Sequence, residues 1–172
     1  MLPDFVHLRL HSEYSITDGI VRIEKAVACA RDDGQPALAL TDLGNVFGLV
    51  KFYQAARKGG VKPLVGADIW VGNPQAPDDA SRLLLLCRNN EGYRQLCALL
   101  TRGALFSGRR ERVVLDTAWF SEIGCDGLIA LSGAADGDVG QAILQGRSDE
   151  AELRATSWKK LFGDAYYLEV QR

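Results

Sequence analysis

Hydrophobic and polar positions along this chain switch repeatedly between two periods. Residues 5–11, Phe-Val-His-Leu-Arg-Leu-His, follow the period of two of an extended strand. Val6, Leu8 and Leu10 take one side, and His7, Arg9 and His11 the other. A polar loop runs to Gly19. Ile20, Ile23, Val27 and Ala30 then recur at helical spacing until Gly34 and Pro36 end the helix. Next come a short apolar strand over 37–41, a turn over 42–45 with Asn45 as helix cap, and an amphipathic helix over 46–58. That helix carries Phe47, Val50, Phe52 and Tyr53, and Gly59-Gly60 stops it. Residues 61–71 read as a third strand interrupted by Pro63 and Gly66, and 72–80 as an exposed loop. The leucine run 83–86 predicts a strand covered on both faces, as in a parallel sheet. Asn89 caps a helix with Tyr93, Leu96, Leu99 and Leu100, and Asp116 caps a short one through Phe120. A buried strand over 127–132 follows. Asp138 and Gln141 have capping-box spacing, and a helix over 148–162 and a strand over 166–170 complete the pattern. Alternation of this kind, about six times over, predicts an α/β fold with a parallel sheet, open or closed into a barrel.

Composition narrows the picture. The chain has 172 residues, enough for one well-filled core, and is 47% hydrophobic and 24% charged. Twenty basic against 22 acidic side chains give a net charge of -2, which argues against a broad nucleic-acid-binding surface. The basic segment with Arg109, Arg110 and Arg112 reads as a solvated loop. No apolar run approaches the length of a membrane span, and the opening Met-Leu-Pro-Asp-Phe lacks the regions of a secretory signal. The cysteines, Cys29, Cys87, Cys97 and Cys125, form no CxxC pair. A reduced, cytoplasmic protein is expected. The chain stops shortly after its last strand, with no covering helix, which predicts a fragment of a longer fold.

Candidate chemistry gathers where parallel strands end, the usual place for sites in α/β folds. His11 ends the first strand, Asp18 lies in the loop after it, Asp42 ends the second, and Asp68 lies in the third. Carboxylates and a histidine at successive strand ends suit metal-assisted hydrolysis. Taken singly, each carboxylate is better read as structural, with Asp42 and Asn45 making a turn and capping a helix, and it is their recurrence at one rim that points to a shared site. Spacing limits the metal reading. Positions i and i+4 of a strand lie about 13 Å apart, against about 6.7 Å for i and i+2, so His7 and His11 cannot easily share an ion. The residue at the right distance from His11 is Arg9, whose guanidinium is not a normal ligand. Neither a Walker loop nor a Gly-x-Ser-x-Gly elbow is present.

Several stretches together are similar to a known family. His-Leu-Arg-Leu-His-Ser-Glu-Tyr-Ser with Asp18-Gly19, Pro36-Ala-Leu-Ala-Leu-Thr-Asp42, Gly48-Leu-Val-Lys-Phe-Tyr53 and Lys62-Pro-Leu-Val-Gly-Ala-Asp68 carry the first half of the likeness. Asn89-Asn-Glu-Gly-Tyr93, Gly127-Leu-Ile-Ala-Leu-Ser-Gly133 and Tyr167-Leu-Glu-Val-Gln-Arg172 carry the rest. In this order they resemble the N-terminal PHP (polymerase and histidinol phosphatase) domain of bacterial replicative DNA polymerase III alpha subunits. The resemblance implies a PHP-type distorted (β/α)7 barrel, incomplete here, with residues 1–172 as a single PHP domain of a much longer polymerase chain. It also implies metal-ligand positions from which this sequence departs. Arg9 stands where the family has His, Leu43 stands at another His position, and Asp68 replaces Glu. Arg82 takes a further His position, and Ala134 that of a Cys or His. His11 and Asp18 match, and Asp42 belongs to the same rim. The residual metal candidates are therefore His11, Asp18 and Asp68. The resemblance implies no metal cluster and no catalysis in this segment, with Arg9 and Arg82 pairing with Asp18, Asp42 or Asp68 instead. It assigns DNA synthesis with Mg2+ to a downstream polymerase site of the parent chain. It gives this segment a scaffold role that docks a proofreading exonuclease (epsilon) subunit, and the parent chain DNA, dNTPs and a sliding clamp as partners. The alternative within the family is a metal-dependent phosphoesterase or pyrophosphatase.

Overall fold

Two compact units, Met1–Asp68 and Ile69–Arg172, make up the chain in a computed structural model that describes residues 5–72, 75, 77–107 and 112–170. Arg109 and Arg110 of the basic loop lie outside the described residues.

The first unit is built on helix α1 (Ile23–Asp32), strand β1 (Ala37–Leu40), helix α2 (Leu49–Gly59) and strand β2 (Lys62–Gly72), which continues into the second unit. β1 and β2 pair in parallel, from Ala37 opposite Lys62 to Leu40 opposite Val65. All four residues of β1 are buried, as a strand with helices on its faces requires. Ile23, Val27 and Ala30 of α1 meet Leu38 and Leu40 of β1 and Phe52 and Ala56 of α2 in one apolar core, with Val61 at its edge. α2 ends at Gly60, whose left-handed backbone (φ 74°) lets its N–H return to the carbonyls of Ala56 and Arg57.

Two expectations fail in this unit. Residues 5–11 are extended but form no regular strand. Ala39 N–H donates to the His7 carbonyl and Thr41 N–H to the Leu10 carbonyl, so three residues on one side span two on the other. The Thr41 hydroxyl accepts the Leu10 N–H at 2.9 Å, replacing a ladder carbonyl. This bulge breaks the alternation of sides, and Leu8 is exposed. Asn45 does not cap α2. It organises the preceding turn, accepting the Phe47 N–H at 3.0 Å and donating to the carbonyls of Tyr14 and Leu43.

The second unit holds strand β3 (Ser81–Cys87), helix α3 (Asn90–Ser107), strand β4 (Val114–Asp116), helix α4 (Ala118–Ile123), strand β5 (Leu128–Leu131), helices α5 (Asp138–Leu144) and α6 (Ser148–Phe162), and strand β6 (Tyr166–Tyr167). Its strand order is β2-β3-β5-β6, and β4 pairs with the end of β2. β4 and β6 add parallel pairs, whereas β3 and β5 are antiparallel, Leu84 facing Leu131 and Cys87 facing Leu128. The leucine run is buried as expected, but the all-parallel sheet is replaced by a mixed one. Burial on both faces depends on what covers the strand and not on its direction. Asn89 caps α3 by accepting the Gly92 N–H at 3.0 Å. Asp138 is the first residue of α5 and not its cap. One carboxylate oxygen accepts its neighbour's N–H, and the other accepts the Trp158 indole N–H at 2.9 Å. Phe120, Trp158 and Phe162 meet edge-on between α4 and α6. In neither unit do the strands close into a ring among the described residues.

Candidate functional site

The loop between the first extended stretch and α1 is closed at its neck. Ser12 bridges Val21, and Glu13 N–H donates to the Val21 carbonyl at 3.0 Å. Gly19 lies so close to the Ser12 carbonyl that any side chain there would collide with it. A short 3-10 turn, Glu13–Ser15, aims two serines inward at Asp42. Asp42, fully buried at the end of β1, accepts the Ser12 N–H at 2.6 Å, the Ser12 hydroxyl at 2.9 Å and the Ser15 hydroxyl at 2.8 Å. The Ser15 oxygen in turn accepts the Leu43 N–H at 3.0 Å. Asp42 is thus a structural acceptor that locks the loop to β1. Ser12 and Ser15 have no part in the strand-end reasoning from sequence. The only sequence signal for them was their place in the Ser-Glu-Tyr-Ser segment.

Asp68, from β2, is also fully buried. Its backbone pairs with Leu43, and its carbonyl accepts the Gly44 N–H at 2.7 Å. Its carboxylate lies 3.0 Å from His11 Nε2 and 3.7 Å from Arg9 Nε. The other ring nitrogen, His11 Nδ1, is 3.0 Å from Asp18. Arg9, His11, Asp18 and Asp68 therefore form one charged chain across the rim, as the arginine-for-metal reasoning expects for Arg9. Asp42 departs from it, since serines hold that carboxylate. Burial by itself would lower the His11 pKa. The hydrogen bond and charge of Asp68, and then the charge and hydrogen bond of Asp18, outweigh it and hold the imidazole above its usual 6.5.

Arg82 and Ala134 belong to the second unit, where the backbones of Arg82 and Gly133 are in close contact. The Arg82 guanidinium lies 4.3 Å from the centre of the Trp70 ring, and that of Arg112 4.2 Å from it. Ala134 is buried and has a positive φ of 50°, following Gly133 at 77°. Trp70, an aromatic platform for two arginines, was not among the expected site residues. A tryptophan in an apolar strand reads as core until its neighbours are known.

The donor set tests whether this rim suits a metal ion. A histidine ligates through a ring lone pair, at about 2.0–2.1 Å for zinc. With a carboxylate 3.0 Å from each nitrogen, His11 can donate to both when it is protonated, and Arg9 and Leu43 beside it offer no ligand atom. Among the described residues, no three His, Cys, Asp or Glu side chains are grouped to hold a metal. The residues do not fit the multi-ligand centre that the resemblance associates with active sites.

The chain belongs to the PHP domain family, whose model matches residues 7–172. Its full length is similar to chains named DNA polymerase III subunit alpha. The relative from Neisseria meningitidis serogroup A is 47% identical over 99% of this chain, and that from Escherichia coli K12 is 40% identical over 99%. In each case the chain spans 15% of the relative's length. A solved amidohydrolase structure from Chromobacterium violaceum matches 58% of this chain and 33% of its own, at 23% identity and a TM-score of 0.46. No helix among the described residues is long and apolar enough to cross a membrane.

Proposed function

We propose that this chain is the PHP region of a replicative DNA polymerase alpha subunit, with a degenerate metal site, acting as a scaffold that docks the proofreading exonuclease (epsilon) subunit. Template-directed DNA synthesis, with its Mg2+, DNA, dNTPs and sliding clamp, belongs in this reading to the rest of the parent chain. The observation that carries it is the pairing of His11. Both ring nitrogens are engaged by carboxylates, and Arg9 supplies fixed positive charge beside Asp68. An arginine here offsets carboxylate repulsion as a metal ion would, but offers no electrophile and activates no water. The loop 12–21 is held by its own hydrogen bonds and the His11–Asp18 ion pair, without cofactor chemistry, which suits a scaffold. Family membership and the likeness to alpha subunits over the whole chain support the polymerase assignment.

The test pairs two measurements on the full chain. Release of phosphate from p-nitrophenyl phosphate is assayed with Mn2+ or Zn2+, and binding of the exonuclease subunit is followed by calorimetry. The expected outcome is a stable complex and no metal-dependent release. Metal-dependent release abolished by His11→Ala would overturn the reading in favour of a phosphoesterase, and absence of a complex would overturn the docking role.

A further inference from the structure

Two of the four cysteines share one corner of the second unit. Cys87 is the last residue of β3, lies opposite Leu128 of β5 and is half-buried. α3 starts three residues later and crosses this strand pair so closely that the Gly92 backbone touches that of Gly127. Cys97 follows Gly92 by five residues, about 7.5 Å along the helix axis. It is half-buried at the edge of the face that α3 turns to the sheet, between the buried Leu96 and the exposed Ala98.

Tyr93 stands one turn before Cys97 on the same side of the helix, and its hydroxyl donates to the Cys97 sulfur. The hydrogen bond and charge of Cys97, partial burial and the charge of Cys87 hold the Tyr93 hydroxyl above its usual range. Burial, aided by Cys97, pushes the Cys87 thiol up to about 12. One hydroxyl and two sulfurs that act on one another in this way are close neighbours. The other cysteines differ. Cys125 is buried, with its thiol donating to the Leu161 carbonyl at 3.1 Å. Cys29 is exposed and has no second sulfur on its helix.

Access divides the pair. Cys97 lines an open cleft of about 610 Å3 on the outer side of α3, with Thr101, Leu105 and Phe106, where small solutes reach it. Cys87 stays protonated at neutral pH, so it reacts slowly with anything that arrives from solvent.

We infer that Cys97 and Cys87 form a peroxide-sensitive thiol pair, in which Cys97 is oxidised first and Cys87 resolves it as a disulfide tying α3 to the end of β3. The Cys97 thiolate attacks one oxygen of hydrogen peroxide. An S–O bond forms, the O–O bond breaks, and hydroxide leaves and is protonated to water. The Cys87 thiolate then attacks the sulfenic sulfur. An S–S bond forms, the S–O bond breaks, and a second hydroxide leaves as water. Two thiols lose two electrons in all, and one peroxide is reduced to two waters. A disulfide of this kind in a reducing compartment is transient, and a dithiol restores both thiols by exchange. The reactive form of Cys87 is scarce, so the second step sets the pace. Below the pKa its thiolate fraction grows about tenfold per pH unit.

The test treats the reduced full chain with hydrogen peroxide, blocks the remaining thiols with iodoacetamide, and maps the digest by mass spectrometry. A Cys87–Cys97 linked peptide that dithiothreitol removes is expected, with Cys125 still reduced. Dimedone added at intervals separates the two steps, and the second is expected to quicken about tenfold per pH unit between about pH 7 and 9. Cys87→Ala is expected to raise the dimedone-trapped sulfenic acid at Cys97 about fivefold or more, and Cys97→Ser to leave Cys87 unoxidised. Circular dichroism matching wild type shows that each variant folds. Cys97 carried to sulfinic acid while Cys87 remains a free thiol would mean that the sulfurs do not meet, and overturns the inference. So does a Cys97 that stays reduced while Cys29 is oxidised, since the cleft is then closed in the full chain. Linkage of Cys97 to a different cysteine, or oxidation of Cys125 to the same extent, overturns it as well.

Discussion

Replacing Asp42 by alanine tests how the candidate site is held together. The carboxylate receives three separate donors, the Ser12 N–H and the Ser12 and Ser15 hydroxyls, and Asp42 and Ser12 are entirely buried. Removing it leaves those donors without their acceptor in a space too enclosed for easy solvation. An orphaned buried donor costs about 1–3 kcal/mol. The hydroxyls can turn, whereas the Ser12 N–H cannot, so the expected loss is roughly 3–5 kcal/mol in all. Against a typical stability of about 5–15 kcal/mol, that is a large fraction. Asp42→Asn keeps the shape and one acceptor oxygen but turns an NH2 group towards other donors, and is expected to lose about half as much. The assay is urea unfolding followed by far-UV circular dichroism, with hydrogen exchange over residues 37–58. Tryptophan emission alone is a poor reporter, because Trp70, Trp119 and Trp158 all lie in the second unit. An Asp42→Ala protein within 1 kcal/mol of wild type would refute the account of Asp42 as a structural lock.

Other expectations follow from the same geometry. The His11 pKa is raised in the folded state, so its ion pairs contribute fully below about pH 6.5 and are lost as pH rises through the higher folded value. NMR titration is expected to show the His11 ring changing above pH 6.5, and His11→Asn to flatten the stability profile there. A His11 midpoint below 6.5 would contradict the pairing with Asp68. Gly92→Ala is expected to destabilise by about 3 kcal/mol or more, because its side chain would enter the Gly127 carbonyl, whereas Gly60→Ala meets nothing and carries only the positive-φ penalty of about 1 kcal/mol. Thermal melts of the two variants decide this. Burial, with the neighbouring Cys97, pushes the Cys87 thiol up to about 12, while Cys29 is exposed. Iodoacetamide at pH 8 followed by mass spectrometry is expected to label Cys29 first and Cys87 far more slowly.

Local signals carried much of the fold. The helix expected over 148–162 is α6, Asn89 caps α3, and glycine ends α2, because helix periodicity and capping act within a few residues. The long-range features were less accessible. Val6 to His11 alternate as a strand should, but the Thr41 hydroxyl 31 residues away takes the Leu10 N–H and shifts the register. The Leu83–Leu86 run announced burial and could not announce antiparallel pairing with β5.

The site divides in the same way. By itself the sequence determined the family, and the resemblance carried with it the expectation of a metal-ligand set from which Arg9, Leu43 and Arg82 depart. Those statements depend on residue identity alone, whereas the strand spacing expected between His7 and His11 presupposed a regular strand that residues 5–11 do not form. Only the tertiary structure decided what each retained carboxylate does. Asp68 turns to His11 and Arg9, Asp18 closes on the other side of the ring, and Asp42 is consumed by two serines. A buried charge must be matched by whatever donors the fold brings within about 3 Å, and those donors come from segments up to 57 residues away.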